Sequence, residues 1–114
     1  MSKLEEFKKF REKMNEIILR DGNIDTKRFF ALDSAVYRNG ALDSKVKEML
    51  GLVASLVLRC DDCINYHILR CKEEGVTKEE FYEVFNIGLI VGGSIVIPHF
   101  RRAVASLEEL ENKE

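Results

Sequence analysis

DSKVKEMLGLVASLVLRCDDCINYHILRCKEEG, residues 43–75, is the stretch that decides the fold of this chain. Its apolar residues recur every three or four positions, and no alternating strand pattern persists, which predicts helices. Asp43 is a suitable N-cap for one helix, Cys60 lies near the start of the next, and Gly75 ends that second helix. The stretch therefore predicts two helices that meet just before Cys60 and pack as an antiparallel hairpin.

The same helical period continues on both sides of the hairpin. A helix before it ends at Asp21-Gly22-Asn23, another runs over about residues 26–37, a capping box at Thr77–Glu80 opens a fifth, and Pro98 lies near the start of the last. The predicted fold class is all-α, a single compact domain of five or six helices covering residues 1–114 with the hairpin at its centre. The residues expected to face inward are Leu4, Phe7, Phe10, Met14, Ile17 and Ile18 on the first helix, Phe29, Phe30, Leu32 and Val36 on the second, and Val46, Met49, Leu50, Val53, Ala54 and Val57 on the third.

Length and composition exclude several classes of protein. A chain of 114 residues has room for one ordinary domain, and 46% hydrophobic with 33% charged residues is a globular composition. Eighteen basic and 20 acidic side chains leave a net charge of −2, so nucleic-acid binding and a polybasic membrane anchor both lack their electrostatic driving force. No apolar run reaches the length of a signal peptide core or a membrane span. We therefore expect a cytoplasmic protein.

The spacing Cys60-x-x-Cys63 is the most specific chemical feature of the sequence. Three cysteines are an odd count that does not suit a secreted disulfide framework, and inside a cell this spacing indicates redox chemistry or metal binding. If Cys60 begins a helix, Cys63 follows one turn on, where free N–H groups and the helix dipole favour the thiolate. His67, four residues after Cys63, lies on the same stripe and supplies the neighbouring base that an activated thiol needs.

Glu48 is the fourth member that we expect at this site. It lies twelve residues before Cys60, whereas His67 lies seven after it, so each is on the order of 10–18 Å from the corner of the hairpin. In an antiparallel pair Glu48 can therefore face His67. A carboxylate among apolar residues needs a partner there, and a Glu–His pair would orient the ring and raise its basicity.

These motifs resemble the carboxymuconolactone decarboxylase superfamily. The match runs from Leu42-Asp43 through Lys47-Glu48, continues with C-x-x-C-x-x-x-H, Gly75-Val76-Thr77 and Glu79-Glu80, and ends on Gly92-Gly93, so that it covers about residues 42–102. Because the decarboxylases proper lack the C-x-x-C, the chain resembles the alkylhydroperoxidase D branch. The resemblance implies an all-helical fold, trimers or hexamers of small subunits, and thiol-dependent reduction of peroxides.

The resemblance also assigns roles to the four residues. Cys63 would be the peroxidatic cysteine, Cys60 the proton donor and then the resolving thiol of a Cys60–Cys63 disulfide, and His67 with Glu48 the proton relay. No cofactor or metal is implied. The substrate would be a hydroperoxide or a partner's disulfide, and a lipoyl or thioredoxin-like thiol protein could donate the electrons. Asp62 stands where many members have a second histidine, and an acid so close raises the pKa of a thiol. Disulfide exchange tolerates that change better than peroxide reduction does.

Other interpretations remain open from the sequence. Cys60, Cys63, His67 and Cys71 could bind zinc, but on a continuous helix Cys60 and Cys71 are about 16 Å apart, too far for one ion. A non-catalytic oligomeric redox sensor or scaffold could share the fold. A lactone decarboxylase is disfavoured because the C-x-x-C has no place in that chemistry.

Three further side chains could have structural rather than chemical roles. Packing is the favoured role for Cys71, which lies four residues beyond His67 and two from the apolar Leu69. Tyr66 could line a substrate pocket, or it could pack at an interface or in the core. His99 follows Pro98 with no partner in view, so a structural role is favoured for it.

Overall fold

Six α-helices make up the part of the chain that the computed structural model describes, residues 2–112. They are α1 Lys3–Asp21, α2 Ile24–Val36, α3 Ser44–Leu58, α4 Asp61–Glu73, α5 Lys78–Gly92 and α6 Ile97–Asn112, with a 3-10 turn over Ser94–Val96 between the last two. Residues 2–112 contain no strand, so the predicted all-α class is confirmed. Residues 1, 113 and 114 of the predicted domain lie outside the described residues.

The ends of the helices are set by capping residues, glycine and proline in the local sequence. The Asp43 side chain accepts a hydrogen bond from the first turn of α3, and Thr77 with Glu80 forms the expected capping box of α5. Gly75 has φ +85° in the connection between α4 and α5, a conformation that a glycine adopts without steric cost. Pro98 is the second residue of α6, where a missing N–H leaves no helical hydrogen bond unmade.

The α3–α4 hairpin forms the centre of the molecule. Its corner takes only two residues: Arg59 adopts the left-handed conformation (φ 62°), and the Cys60 N–H donates to the Ser55 carbonyl. Side chains early in α3 contact the second half of α4, so the two helices run antiparallel, as predicted. Helix α5 also packs on α3, and α6 packs on α4. The core that these helices share is Leu52, Leu56, Ile64, Ile68, Cys71, Val76, Phe81, Val84, Phe85, Val96, Ala103 and Leu107.

The predicted inward face of α3 is right only in part: Met49 and Val53 pack against the core, but the buried side chains are not the ones expected. Leu52 and Leu56 are buried on this helix, whereas Leu50, expected inside, is 52% exposed. Helix α3 is apolar on nearly all sides, so its period alone could not say which side meets α4 and α5. The packing of those two helices selects the stripe that runs through Glu48, Leu52 and Ser55.

The predicted inward face of α2 is wrong within one protomer. No residue of this helix is buried, and Phe29, Leu32 and Val36 are each more than half exposed. Of the apolar side chains of α1, only Leu4 is buried. The radius of gyration, 14.7 Å, exceeds the value of about 13 Å for a compact chain of this length. Within residues 2–112, no other element buries this side of α2. None of the helices within residues 2–112 is both long and apolar enough to cross a membrane.

Candidate active site

The two cysteines of the C-x-x-C lie at the N-terminus of α4. Cys60 is the N-cap residue, and its Sγ accepts the Cys63 N–H at 3.2 Å. A disulfide joins the two side chains, with their Cα atoms 5.2 Å apart. Cys63 is exposed and Cys60 half-buried. A sulfur in this position faces the unpaired N–H groups of the first turn, which stabilise negative charge on it.

Glu48 and His67 meet inside the hairpin, one turn beyond the cysteines. Glu48 Oε1 lies 2.9 Å from His67 Nδ1, and both side chains are buried. Because a carboxylate has no proton to donate, Nδ1 is the donor of this hydrogen bond. The imidazole is thus held in one tautomer with Nε2 as its acceptor nitrogen. His67 and Cys63 line the same cleft.

Arg70 supplies a second partner for the buried Glu48 carboxylate. Its Nε lies 3.4 Å from Glu48 Oε2, a charge contact without the geometry of a hydrogen bond, since that oxygen accepts none from the described residues. Arg70 also pairs with Glu73 and Glu74 along α4. An ionised carboxylate in the core requires such compensation, and here His67 and Arg70 provide it together.

Gly51 and two tyrosines fix the position of the His67 ring. A Cβ at Gly51 would lie 2.5 Å from His67 Cε1, so the imidazole packs directly on the α3 backbone. Tyr37 and Tyr66 approach the ring with centroid distances of 5.4 and 5.0 Å. Burial, assisted by the charge of Glu48, raises the pKa of both phenols. Both tyrosines therefore stay protonated at neutral pH.

A cleft between α1, α2 and α4 opens onto Cys63. Its volume is about 380 Å³, and its lining consists of Phe7, Phe10, Arg11, Met14, Asn15, Asp33, Asp62, Cys63, Tyr66 and His67. The Arg11 guanidinium stacks over the Tyr66 ring at 4.1 Å from the centroid. Tyr66 lines this cleft and also packs on the His67 ring.

His99 has a partner that the sequence did not reveal. Its Nδ1 lies 2.8 Å from Asp61 Oδ1, and Arg102 lies 3.2 Å from the other oxygen of the same carboxylate. Asp61 directly follows Cys60, so this cluster ties the first turn of α4 to α6. The sequence showed no partner for His99, because α6 returns to the start of α4 only in the folded chain.

Cys71 lies apart from the other two cysteines. Its thiol is free and buried in the core, which agrees with the packing role predicted for it. Burial, together with the nearby charge of Glu48, raises its pKa to about 12. Among residues 2–112, no group of three or more His, Cys, Asp or Glu side chains is arranged to hold a metal ion.

The structure thus brings together all four predicted site residues, and it adds others. Two of these could have been predicted from the sequence. Gly51 lies inside a helix three residues after Glu48, and a glycine in such a place usually has a packing reason. Arg70 follows His67 by three residues and so lies on the same helix face. Tyr37 and Arg11 belong to other helices, so only the tertiary structure could place them. The catalytic roles of Cys60, Cys63, His67 and Glu48 stay predictions.

Known proteins resemble this chain in both fold and sequence. The Thermotoga maritima protein TM1620 superposes with a TM-score of 0.92 at 60% identity, over 95% of each chain. A second crystal structure of that protein gives a TM-score of 0.89 at 60% identity, over 94% of this chain and 91% of its own. It is described as a carboxymuconolactone decarboxylase family protein with a suggested part in the antioxidative response. The Legionella pneumophila protein lpg0406, in its apo form, shares the fold with a TM-score of 0.88 at 23% identity, over 96% of this chain and 97% of its own.

A more distant relative and a family model also match the sequence of this chain. Protein 4 of the cox locus of Paracoccus denitrificans is 29% identical over 83 residues, which cover 73% of this chain and 75% of the relative. The model of the carboxymuconolactone decarboxylase family matches residues 26–106, a region that contains the whole hairpin and its Cys60–Cys63 pair. The C-x-x-C with Glu48 and His67 fits the alkylhydroperoxidase D-like branch, and the chain belongs to the carboxymuconolactone decarboxylase family.

Proposed function

We propose that this protein is a thiol-dependent oxidoreductase in which Cys60 and Cys63 alternate between dithiol and disulfide. The observation that carries the proposal is the buried Glu48–His67 pair beside a C-x-x-C at a helix N-terminus. The helix N-terminus favours the thiolate, and the oriented imidazole accepts and returns the proton.

In the peroxidase reaction, the Cys63 thiolate attacks the distal oxygen of a hydroperoxide ROOH. An S–O bond forms and the O–O bond breaks, and the leaving alkoxide takes the proton that His67 accepted from the thiol, so that ROH departs. Cys63 is then a sulfenic acid. The Cys60 thiol attacks its sulfur, which forms the Cys60–Cys63 disulfide and releases the hydroxyl as water. Two electrons pass from the two thiols to the peroxide.

The cycle closes when an external dithiol reduces the disulfide by exchange. Cys63 is exposed, so a protein thiol of the lipoyl or thioredoxin-like kind can reach it. The same exchange, run on a partner's disulfide, is the second activity of this pair. The suggested antioxidative role of the Thermotoga maritima protein, at 60% identity, supports peroxide as the oxidant. Lactone decarboxylation receives no support from these residues, since it has no use for a redox-active cysteine pair.

The test is turnover of an organic hydroperoxide by the full chain with a small dithiol as reductant. We expect multiple turnovers for the wild type and none for Cys63→Ser. Cys60→Ser should form one sulfenic acid, trapped by a dimedone-type reagent, and then stop. Trapping at Cys60 in Cys63→Ser would reverse the two roles. A protein that forms the disulfide once but never turns over would be a redox sensor or scaffold instead.

We also propose that the protein acts as a homo-oligomer, with three or six copies as the family resemblance implies. The protomer exposes 7481 Å², against roughly 6,400 Å² for a monomeric protein of this mass. Besides the exposed side of α2, an apolar surface lies between α3 and α5, and exposed apolar surfaces of this kind usually mark interfaces. That surface is Val53, Ala54, Val57, Leu58, Ile87 and Val91.

A further inference from the structure

We infer that the cleft over Cys63 selects hydroperoxides that carry a carboxylate on an apolar body, and that Arg11 binds the carboxylate. The inference rests on the proposed peroxide reduction and names its substrate class. It assigns to Arg11 a role in specificity that is separate from the proton chemistry of His67.

Arg11 is held in place without being neutralised. Its guanidinium lies 4.1 Å from the centroid of Tyr66, and cation–π stacking of this kind occupies the face of the guanidinium while leaving its edge N–H groups free. Within residues 2–112, no carboxylate forms an ion pair with Arg11. A positioned guanidinium with unused donors is suited to binding a carboxylate by two parallel hydrogen bonds.

The Arg11 guanidinium and the Cys63 thiol are close enough for one small substrate to contact both. Tyr66 follows Cys63 by three residues on α4, so their Cβ atoms are roughly 5–6 Å apart. A molecule whose carboxylate contacts Arg11 can therefore place a peroxide group several bonds away over Cys63. Both residues, with His67, line the same cleft.

The cleft is far larger than hydrogen peroxide requires. Its volume of about 380 Å³ falls in the range of small-molecule sites, roughly 300–1,000 Å³, whereas a water molecule takes about 30 Å³ in the liquid. Three apolar side chains of α1 line the cleft beside Arg11 and Asn15 of the same helix: Phe7, Phe10 and Met14. This lining favours an alkyl or aromatic body between the two polar ends of the substrate.

The other charges of the cleft make Arg11 the decisive contact. Asp33 of α2 and Asp62 of α4 also line it, so the cleft as a whole does not attract anions. Asp33 and Asp62 repel a carboxylate, so the attraction that holds it in the cleft has to come from the guanidinium. Selectivity should therefore depend sharply on Arg11 and only weakly on the net charge of the protein.

The experiment compares two hydroperoxides with the same apolar body, one bearing a carboxylate and the other its methyl ester, reduced by the full chain with a small dithiol. The readout is the ratio of their kcat/KM values. We expect the wild type to prefer the carboxylate about tenfold or more, mainly through KM, and Arg11→Met to bring the ratio near one. Arg11→Lys should give an intermediate ratio, since an ammonium lacks the planar fork. Lys27→Met, which removes a positive charge from the adjoining pocket, is the matched control and should keep the wild-type ratio.

The possible outcomes distinguish failure of the role inferred for Arg11 from failure of the proposed peroxide reduction. If neither hydroperoxide is turned over, the proposed function fails. If the wild type reduces both with equal kcat/KM, or if Lys27→Met changes the ratio as much as Arg11→Met, the role of Arg11 is refuted while peroxide reduction stands. Octanoate, a carboxylate without a peroxide, gives an independent reading: it should inhibit ester turnover competitively in the wild type and more weakly in Arg11→Lys. Equal inhibition of the two proteins would also overturn the inference, even if Arg11→Met does not fold.

Discussion

The backbone of Gly51 lies directly against the imidazole of His67, so close that a methyl group at Gly51 would come within 2.5 Å of Cε1 and 2.8 Å of Nε2. The helix that carries Glu48 thus also forms the surface on which its partner ring rests. A glycine inside a helix costs up to about 1 kcal/mol relative to alanine, and here the space that it leaves holds the ring.

Gly51→Ala should therefore displace His67 and separate it from Glu48. We expect peroxide turnover to fall on the order of 100-fold, because small misplacements of a reacting group have effects of that size, while the helical circular-dichroism spectrum is retained. Gly40→Ala is the matched control, since a Cβ there meets only the Lys47 ammonium at 3.6 Å. Wild-type turnover in Gly51→Ala would show that the ring position does not matter.

Glu48→Gln should keep the fold and weaken the base. The amide oxygen can still accept the Nδ1 hydrogen bond, but it carries no charge to stabilise an imidazolium. General-base contributions are typically about 10²–10⁴ in rate, and we expect a loss toward the lower end. His67→Ala should lose at least as much, and the double variant little more, since residues that act as one unit are non-additive. Losses that multiply would place Glu48 outside the relay. Glu79→Gln, an exposed change on α5, is the control.

Cys71 should make stability depend on alkaline pH. Its pKa is raised from 9.0 to about 12 by burial, so between pH 9 and 12 the unfolded thiol loses its proton while the folded one keeps it. The unfolded state then binds fewer protons, and the free energy of unfolding falls as pH rises, by up to about 1.4 kcal/mol per pH unit for this group. Below pH 9 the contribution of Cys71 to the free energy of unfolding is fully present.

The measurement is urea unfolding of the wild type and Cys71→Ala at several pH values, with the Cys60–Cys63 disulfide intact in both. The other titrating groups are the same in both proteins, so the difference between the two curves isolates Cys71. We expect the wild type to lose its advantage over Cys71→Ala as pH rises above 9. A constant difference across the range would mean that the thiol titrates normally.

The cluster on Asp61 should stabilise the start of α4 through His99 more than through Arg102. The His99 side chain is 21% exposed and that of Arg102 is 61% exposed, and exposed ion pairs contribute little. We expect His99→Ala to lower the free energy of unfolding by about 1 kcal/mol and Arg102→Ala by less than about 0.5 kcal/mol. Urea denaturation of the reduced proteins measures both, and the reverse order would contradict the structure.

An oligomer should form through the apolar surface between α3 and α5. Light scattering at micromolar concentration should give a multiple of 13.1 kDa, and Val91→Glu, which places a charge at a side chain that is 67% exposed, should shift the protein to smaller species with the helical spectrum unchanged. Lys8→Glu, an exposed change on α1, should leave the mass as it is. A wild-type mass of 13.1 kDa would refute the proposal.

The sequence determined the all-α class, the helix ends and the residues of the C-x-x-C-x-x-x-H motif, because those are local properties. A capping box, a glycine at a helix end and the spacing Cys60-x-x-Cys63-x-x-x-His67 are all read within one or two helical turns. The placement of Glu48 opposite His67 also followed, because the rise per residue of two antiparallel helices and their shared corner leave little freedom.

Tertiary structure alone decided which sides of the helices are buried and which distant groups meet. Helix α3 is apolar nearly all round, so only the packing of α4 and α5 could select Leu52 and Leu56 over Leu50. His99 contacts Asp61 and Arg11 contacts Tyr66. Both pairs are so far apart in the sequence that no periodic pattern predicts them. Helix α2 shows the same limit: the sequence pattern predicted an inward face there, whereas no described residue outside the helix buries Phe29, Leu32 and Val36.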